Sequence, residues 1–137
     1  MKKIAVLSLC LVMLTSVLVG CAGKYADVKR VNAQFVRTTE EYIAKLEKAD
    51  SAARVAQAMN SYADEMEKVW PRMQKAAERY PELKNRSDPP KGLEECQRES
   101  EAIGKQMAGT FMKIMPYISD PEVARAQERL AKIMVTL

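Results

Sequence analysis

Residues 59–80, MNSYADEMEKVWPRMQKAAERY, decide the fold of this 137-residue chain. Apolar side chains recur here in alternating steps of three and four residues: Met59, Tyr62, Met66, Val69, Met73, Ala76 and Tyr80. We call this row the heptad seam. Its period of 3.5 residues is the pattern by which one helix packs on another with interdigitated side chains. The stretch therefore predicts a helix over about Ala52–Tyr80 that packs within a helical bundle.

Three more helices are predicted on either side of this one. The sequence contains no alternating run of β-branched residues bounded by turns, so no strand is predicted. The first, third and fourth helices are expected at about Tyr25–Ala49, Leu93–Tyr117 and Pro121–Met134. Their predicted apolar faces contain Val28, Val31, Phe35, Tyr42, Ile43 and Leu46 in the first, Cys96, Ile103, Met107, Phe111, Ile114 and Ile118 in the third, and Val123, Ala126, Leu130 and Ile133 in the fourth.

The connections between these helices predict how they are arranged. Ser51 is a plausible N-cap of the second helix, and Asp120 can cap a fourth helix whose first residue is Pro121. Two connections are short, and the third is the Pro-rich linker Pro81–Gly92. We expect an all-α fold, an antiparallel up-down-up-down four-helix bundle. Because the fourth helix is much shorter than the second, one end of the bundle should be open or covered by the linker.

The N-terminus has the layout of a secretory signal. Met1-Lys2-Lys3 is basic, Ile4–Val19 is mostly apolar, and Gly20 precedes Cys21. The apolar stretch is shorter than the ~20 residues that a membrane-spanning helix prefers, so a span is the weaker interpretation. Two other interpretations of this N-terminus are possible: an ordinary signal peptide that happens to be followed by a cysteine, and an uncleaved membrane anchor.

Residues 18–21, Leu-Val-Gly-Cys, resemble the lipobox of bacterial lipoproteins. In that family the chain is cleaved before the cysteine, whose thiol takes a diacylglyceryl group and whose new amine is acylated. The resemblance implies a signal peptide at 1–20, lipidation of Cys21, a tether at 21–24 and a helical domain at 25–137. Because Ala22 and not an aspartate follows, it also implies the outer membrane, with the domain facing the periplasm. Several acyl chains, such as palmitate, anchor a protein more firmly than one.

Composition narrows the classes of function. The chain has no histidine, so Ser/His and Cys/His nucleophile pairs are excluded, and the commonest metal and haem ligand is missing. The formal charge of +4 falls to +2 when Lys2 and Lys3 leave with the signal, and acidic and basic residues are interspersed, with no run of like charge that could bind phosphates. We therefore expect no enzymatic activity, no cofactor and no nucleic-acid partner. In the mature chain Cys96 is the one free thiol, expected to be buried, with a homodimer bridge as the alternative.

A second resemblance concerns residues 46–59, LEKADSAARVAQAM. They resemble the first helical turn region of the small soluble periplasmic cytochrome b family, and Pro89-Pro90-Lys91 and residues 123–127 are loosely similar too. That family is an antiparallel four-helix bundle with haem between a methionine on its first helix and a histidine on its last. The resemblance implies the fold and the envelope setting but no haem, because Val36 stands at the axial methionine position and Leu137 is reached before the histidine position.

Two groups of residues are candidate sites. Nine methionines are many for this length, and thioethers can bind Cu(I). The candidate ligands are Met107, Met112 and Met115, with Met66 and Met73 facing them, although the same spacing is typical of a helical core. Trp70-Pro71, with Tyr62 and Tyr80, could line a groove or form an aromatic core. The sequence predicts a tethered binding or adaptor module for an envelope protein, or alternatively a small-ligand, Cu(I) or haem-type carrier.

Overall fold

The computed structural model describes residues 23–84 and 88–135. The signal peptide and Cys21 lie outside the described residues. In the described ranges the chain forms four α-helices and no strand. They are α1 (Ala26–Glu47), α2 (Ala52–Arg79), α3 (Glu94–Ile114) and α4 (Pro121–Val135), with short 3-10 turns at Pro81–Lys84 and Met115–Tyr117. The predicted all-helical class is confirmed, and α2 continues through Pro71.

The helix starts follow from the residues that precede them. Ser51 has an extended backbone, and its hydroxyl accepts a hydrogen bond from the Arg54 N–H at 3.4 Å. The carboxylate of Asp120 accepts one from the Glu122 N–H at 2.8 Å. Each bond satisfies a backbone donor that has no partner within its helix. Both predicted caps are therefore present.

Pairs of side chains show how the helices lie against one another. Tyr42 and Tyr62 stack at 4.4 Å, and Arg79 pairs with Asp27 at 2.8 Å, so α1 and α2 run antiparallel. α1 also packs against α3, and α4 packs against α2. α3 thus lies beside α1, and α4 lies beside α2.

The heptad seam of α2 forms the centre of the core over its first half. Met59, Tyr62, Met66 and Val69 are all at most 4% exposed. Leu130 and other α4 side chains pack against this row from one side, and α1 side chains do so from the other. One cluster of buried residues contains side chains from all four helices, among them Leu46, Met66, Ile114 and Val123.

Nine residues of the predicted apolar faces are not fully buried. Phe111 is exposed, and the other eight are half-buried: Val28, Phe35, Met73, Tyr80, Cys96, Met107, Ile118 and Ile133. Phe111 is 50% exposed, so its predicted burial is wrong. α3 packs mainly on α1, and the face it buries there runs through Ile103, Thr110 and Ile114. Met73, a member of the heptad seam, is only half-buried. Across the described ranges, no helix combines the length and apolarity that crossing a membrane requires.

Candidate binding groove

A cavity of about 610 Å³ opens between α1, the second half of α2, the start of α3 and the linker between α2 and α3. This volume is within the usual range for ligand sites, about 300–1,000 Å³. We call it the α1–α2–α3 groove. Its apolar lining comes from Val28, Val31, Trp70, Met73, Ala76, Ala77, Leu83, Pro89, Pro90, Leu93 and Cys96. Its polar lining comes from Asn32, Gln74, Gln97, Ser100 and Glu101.

The groove is open because α4 is too short to cover α2. At 1.5 Å per residue, the 28 residues of α2 span about 42 Å and the 15 of α4 about 22 Å. Arg129 of α4 pairs with Asp64 and Glu67 at 2.7 and 2.8 Å, which places it beside the middle of α2. α4 ends at Val135, little more than a turn and a half later. The expectation of an open bundle end is therefore met, and the linker covers only one side of the opening.

Trp70 lies where the covered and open parts of α2 meet. Its ring packs partly against the core and partly lines the groove. Its indole Nε1 is buried and has no hydrogen-bond partner among the described residues. Of the other two aromatic residues predicted with it, Tyr62 is in the core and Tyr80 packs edge-on against Tyr25 at 5.1 Å. The prediction of a groove therefore holds for Trp70 and not for the two tyrosines.

Hydrogen bonds between α1 and α3 form the polar wall of the groove. The Ser100 hydroxyl donates to the Asn32 side-chain oxygen at 2.7 Å, and the Asn32 amide donates to Glu99 at 3.2 Å. These bonds fix the start of α3 beside the start of α1. Cys96 lies one helical turn before Ser100 and is half-buried, not fully buried as expected. Burial and the nearby Glu99 raise the pKa of its thiol.

The linker closes one side of the groove. Leu93 is buried, and Pro89 and Pro90 line the cavity beside it. Gly92 has a φ of 95°, a conformation that favours glycine, and its N–H donates to the Glu94 carboxylate at 2.8 Å. This turn leads the linker into α3 on the far side of the groove from α2.

The chain enters the domain beside the groove. Lys24 pairs with Glu82 at 2.7 Å, and the Tyr25 hydroxyl donates to the same carboxylate at 2.8 Å. The Tyr80 hydroxyl donates to the Lys24 carbonyl at 2.7 Å. The Lys24 bond, the backbone N–H and the Tyr25 bond lower the pKa of Glu82 to about 2. Lys24 and Tyr25 are thus fixed at the end of α2, about one helical turn before Val28 of the groove.

The candidate methionine ligands lie in different environments in the structure and do not share one site. Met66 is fully buried in the core, Met73 lines the groove, and Met107 packs against the core from α3. Met112 is 74% exposed and Met115 is 46% exposed. Within the described ranges, no group of three or more Cys, Asp or Glu side chains could hold a metal ion. Only Met73 of the five contributes to the groove.

Sequence reasoning found Trp70 and the open end but missed the other walls of the groove. The contributions of Leu93, Ser100 and the proline pair depend on where the linker places α3. The proline pair was a weak signal, because it predicts a rigid linker but not its position. No protein-family model, no curated protein and no solved structure matches this chain.

Proposed function

We propose that this chain is a non-enzymatic lipoprotein of the bacterial cell envelope, a binding or adaptor module. Its signal peptide is removed before Cys21, and acyl chains on Cys21 hold it at the outer membrane, facing the periplasm. Its helices form an up-down-up-down bundle like that of the periplasmic cytochrome b family, without haem. Its partner is another envelope component, bound in the α1–α2–α3 groove.

The observation that carries this proposal is the groove itself. A large apolar cavity left open in a small domain is typical of a binding site, since exposed apolar surface is otherwise unfavourable in water. The four-residue tether 21–24 ends at Lys24, and Lys24 and the next residue, Tyr25, bond to Glu82 at the groove end of the bundle. A lipid on Cys21 therefore holds the groove within a few residues of the bilayer surface, where partners in the same membrane can reach it.

A crosslinking experiment in living cells tests this proposal. The full chain carries a photoreactive phenylalanine analogue at Met73, in the groove, or at Gln57, an exposed α2 position outside it. We expect an adduct of defined mass from Met73 and none from Gln57. Labelling with an alkyne fatty acid should be lost in Cys21→Ser, and the adduct should be weakened because the chain is no longer concentrated at the membrane. Equal adducts from both positions, or fatty-acid labelling that survives Cys21→Ser, would contradict the proposal.

A further inference from the structure

The groove continues the surface on which α4 packs. Along the heptad seam, Met66 and Val69 are fully buried, and the next member, Met73, lies in the groove. The seam thus keeps its period through α2, but its cover is incomplete beyond Trp70: Met73 is only half-buried, while the smaller Ala76 is buried at the floor of the groove. A seam with this period is the surface to which a second helix packs.

The opposite wall of the groove is also helical. Cys96 and Ser100 of α3 line it four residues apart, and so do Gln97 and Glu101. Side chains four residues apart form the ridges that interlock when helices pack 8–10 Å apart. α2 and α3 therefore present two ridged faces across a space that no described helix occupies.

The missing cover has a definite length. Arg129 lies beside Asp64 and Glu67, and α4 ends six residues later at Val135. About eight residues at the end of α2 therefore have no α4 beside them, a length of about 12 Å or two turns of helix. A helix in line with α4 would extend past Trp70, Met73 and Ala77 and complete the cross-section of the bundle.

We propose that the α1–α2–α3 groove binds about two turns of an amphipathic helix from a partner protein. The partner's apolar face packs on Trp70, Met73 and Ala77. A basic residue at its edge pairs with Glu101, the one charged side chain among the described residues that line the groove. The proposal rests on the proposed binding function and adds the class of partner.

The polar wall favours a helix over a lipid chain. Asn32 and Ser100 are already hydrogen-bonded to each other, but a hydrocarbon chain over the groove would remove water from the exposed Glu101 carboxylate without offering it a cation, and burial of a charge without an ionic partner is costly. A helix can contact the apolar floor while its flanking lysine or arginine side chains pair with Glu101.

Trp70 gives a direct readout, since it is the only tryptophan in the chain. The probe is a tryptophan-free peptide of about 14 residues that repeats the heptad Leu-Lys-Lys-Leu-Leu-Lys-Leu. It is titrated into the soluble form that begins at Ala22, which keeps the whole described core. We expect a saturable change in Trp70 fluorescence at one peptide per chain. A scrambled peptide of the same composition should give none.

Three variants locate the binding. Ala77→Arg places a charge on the groove floor and should weaken binding at least tenfold. Gln57→Arg adds the same charge on an exposed part of α2 outside the groove and should leave binding unchanged. Glu101→Gln should weaken binding severalfold, and since this exposed side chain can change without disturbing the core, its result stands if Ala77→Arg unfolds the chain.

Equal binding of the scrambled peptide, or binding that neither Ala77→Arg nor Glu101→Gln weakens, would overturn the proposal. So would an absent peptide response together with a saturable response to lauric acid, since that result would assign the groove to lipid chains. Because this soluble form never carries the lipid, its result is independent of whether Cys21 is acylated in cells.

Discussion

Truncating three methionines to alanine measures how open the groove is. Met66 is fully buried, Met73 is half-buried in the groove, and Met112 is 74% exposed. Each change removes the same three heavy atoms. At about 0.8 kcal/mol for each buried methylene-sized group, Met66→Ala loses about 2.4 kcal/mol of transfer free energy. The cavity left in the core adds to this and brings the cost into the range of about 2–5 kcal/mol.

The other two truncations should cost much less. Met73→Ala loses about half the transfer free energy, about 1 kcal/mol, and adds little cavity cost because its side chain already borders open space. Met112→Ala is the surface control and should stay within about 0.5 kcal/mol of the unchanged protein.

Urea unfolding of the soluble form, followed by circular dichroism, separates these values. With a slope of about 1.5 kcal/mol per molar urea, a loss of 3 kcal/mol lowers the midpoint by about 2 M. Met73→Ala should lower it by less than half as much, with the slope unchanged. If Met73→Ala cost as much as Met66→Ala, the side chain of Met73 would be fully packed in solution and the reasoning for an open groove would be refuted.

Three further predictions concern the ends of the helices and the core. The bonds from Lys24, the backbone N–H and Tyr25 together lower the pKa of Glu82 to about 2 from its ordinary 4.5, so these bonds stabilise the fold above pH 4.5 and cease to do so as the pH falls toward 2. The difference in melting temperature between the unchanged protein and Glu82→Gln should therefore shrink over this interval, and a difference that grows on acidification would contradict the pairing. Ser51→Ala removes the N-cap of α2 and should cost about 1 kcal/mol in urea unfolding, whereas an unchanged midpoint would show that the cap is unimportant. Tyr62→Phe removes the buried hydrogen bond to the Thr39 hydroxyl at 3.1 Å and should also cost about 1 kcal/mol, and an equally stable variant would argue against that bond.

Much of the fold could be predicted from local sequence. The heptad seam sets the period of α2, and Ser51 and Asp120 set the starts of two helices through hydrogen bonds within their own first turns. The exposure of Phe111 could not be predicted from local sequence. The apolar residues of α3 are compatible with more than one buried face, and the choice depends on its neighbour α1.

The groove was predictable only in part, because its two sides have different origins. Its opening follows from the unequal lengths of α2 and α4, which the sequence contains. Its other walls depend on where α3 settles, and the bonds among Asn32, Glu99 and Ser100 that fix this join residues more than 60 positions apart. No local pattern encodes such a pairing.

The state of Cys21 decides whether the proposed tether exists. The most direct measurement is mass spectrometry of the protein extracted from the envelope of its own cells, with fragmentation of its N-terminal peptide. We predict a polypeptide that begins at Cys21 and carries a diacylglyceryl group on sulfur and an acyl group on its amine. A polypeptide that still begins at Met1, or a free thiol at Cys21, would contradict the account.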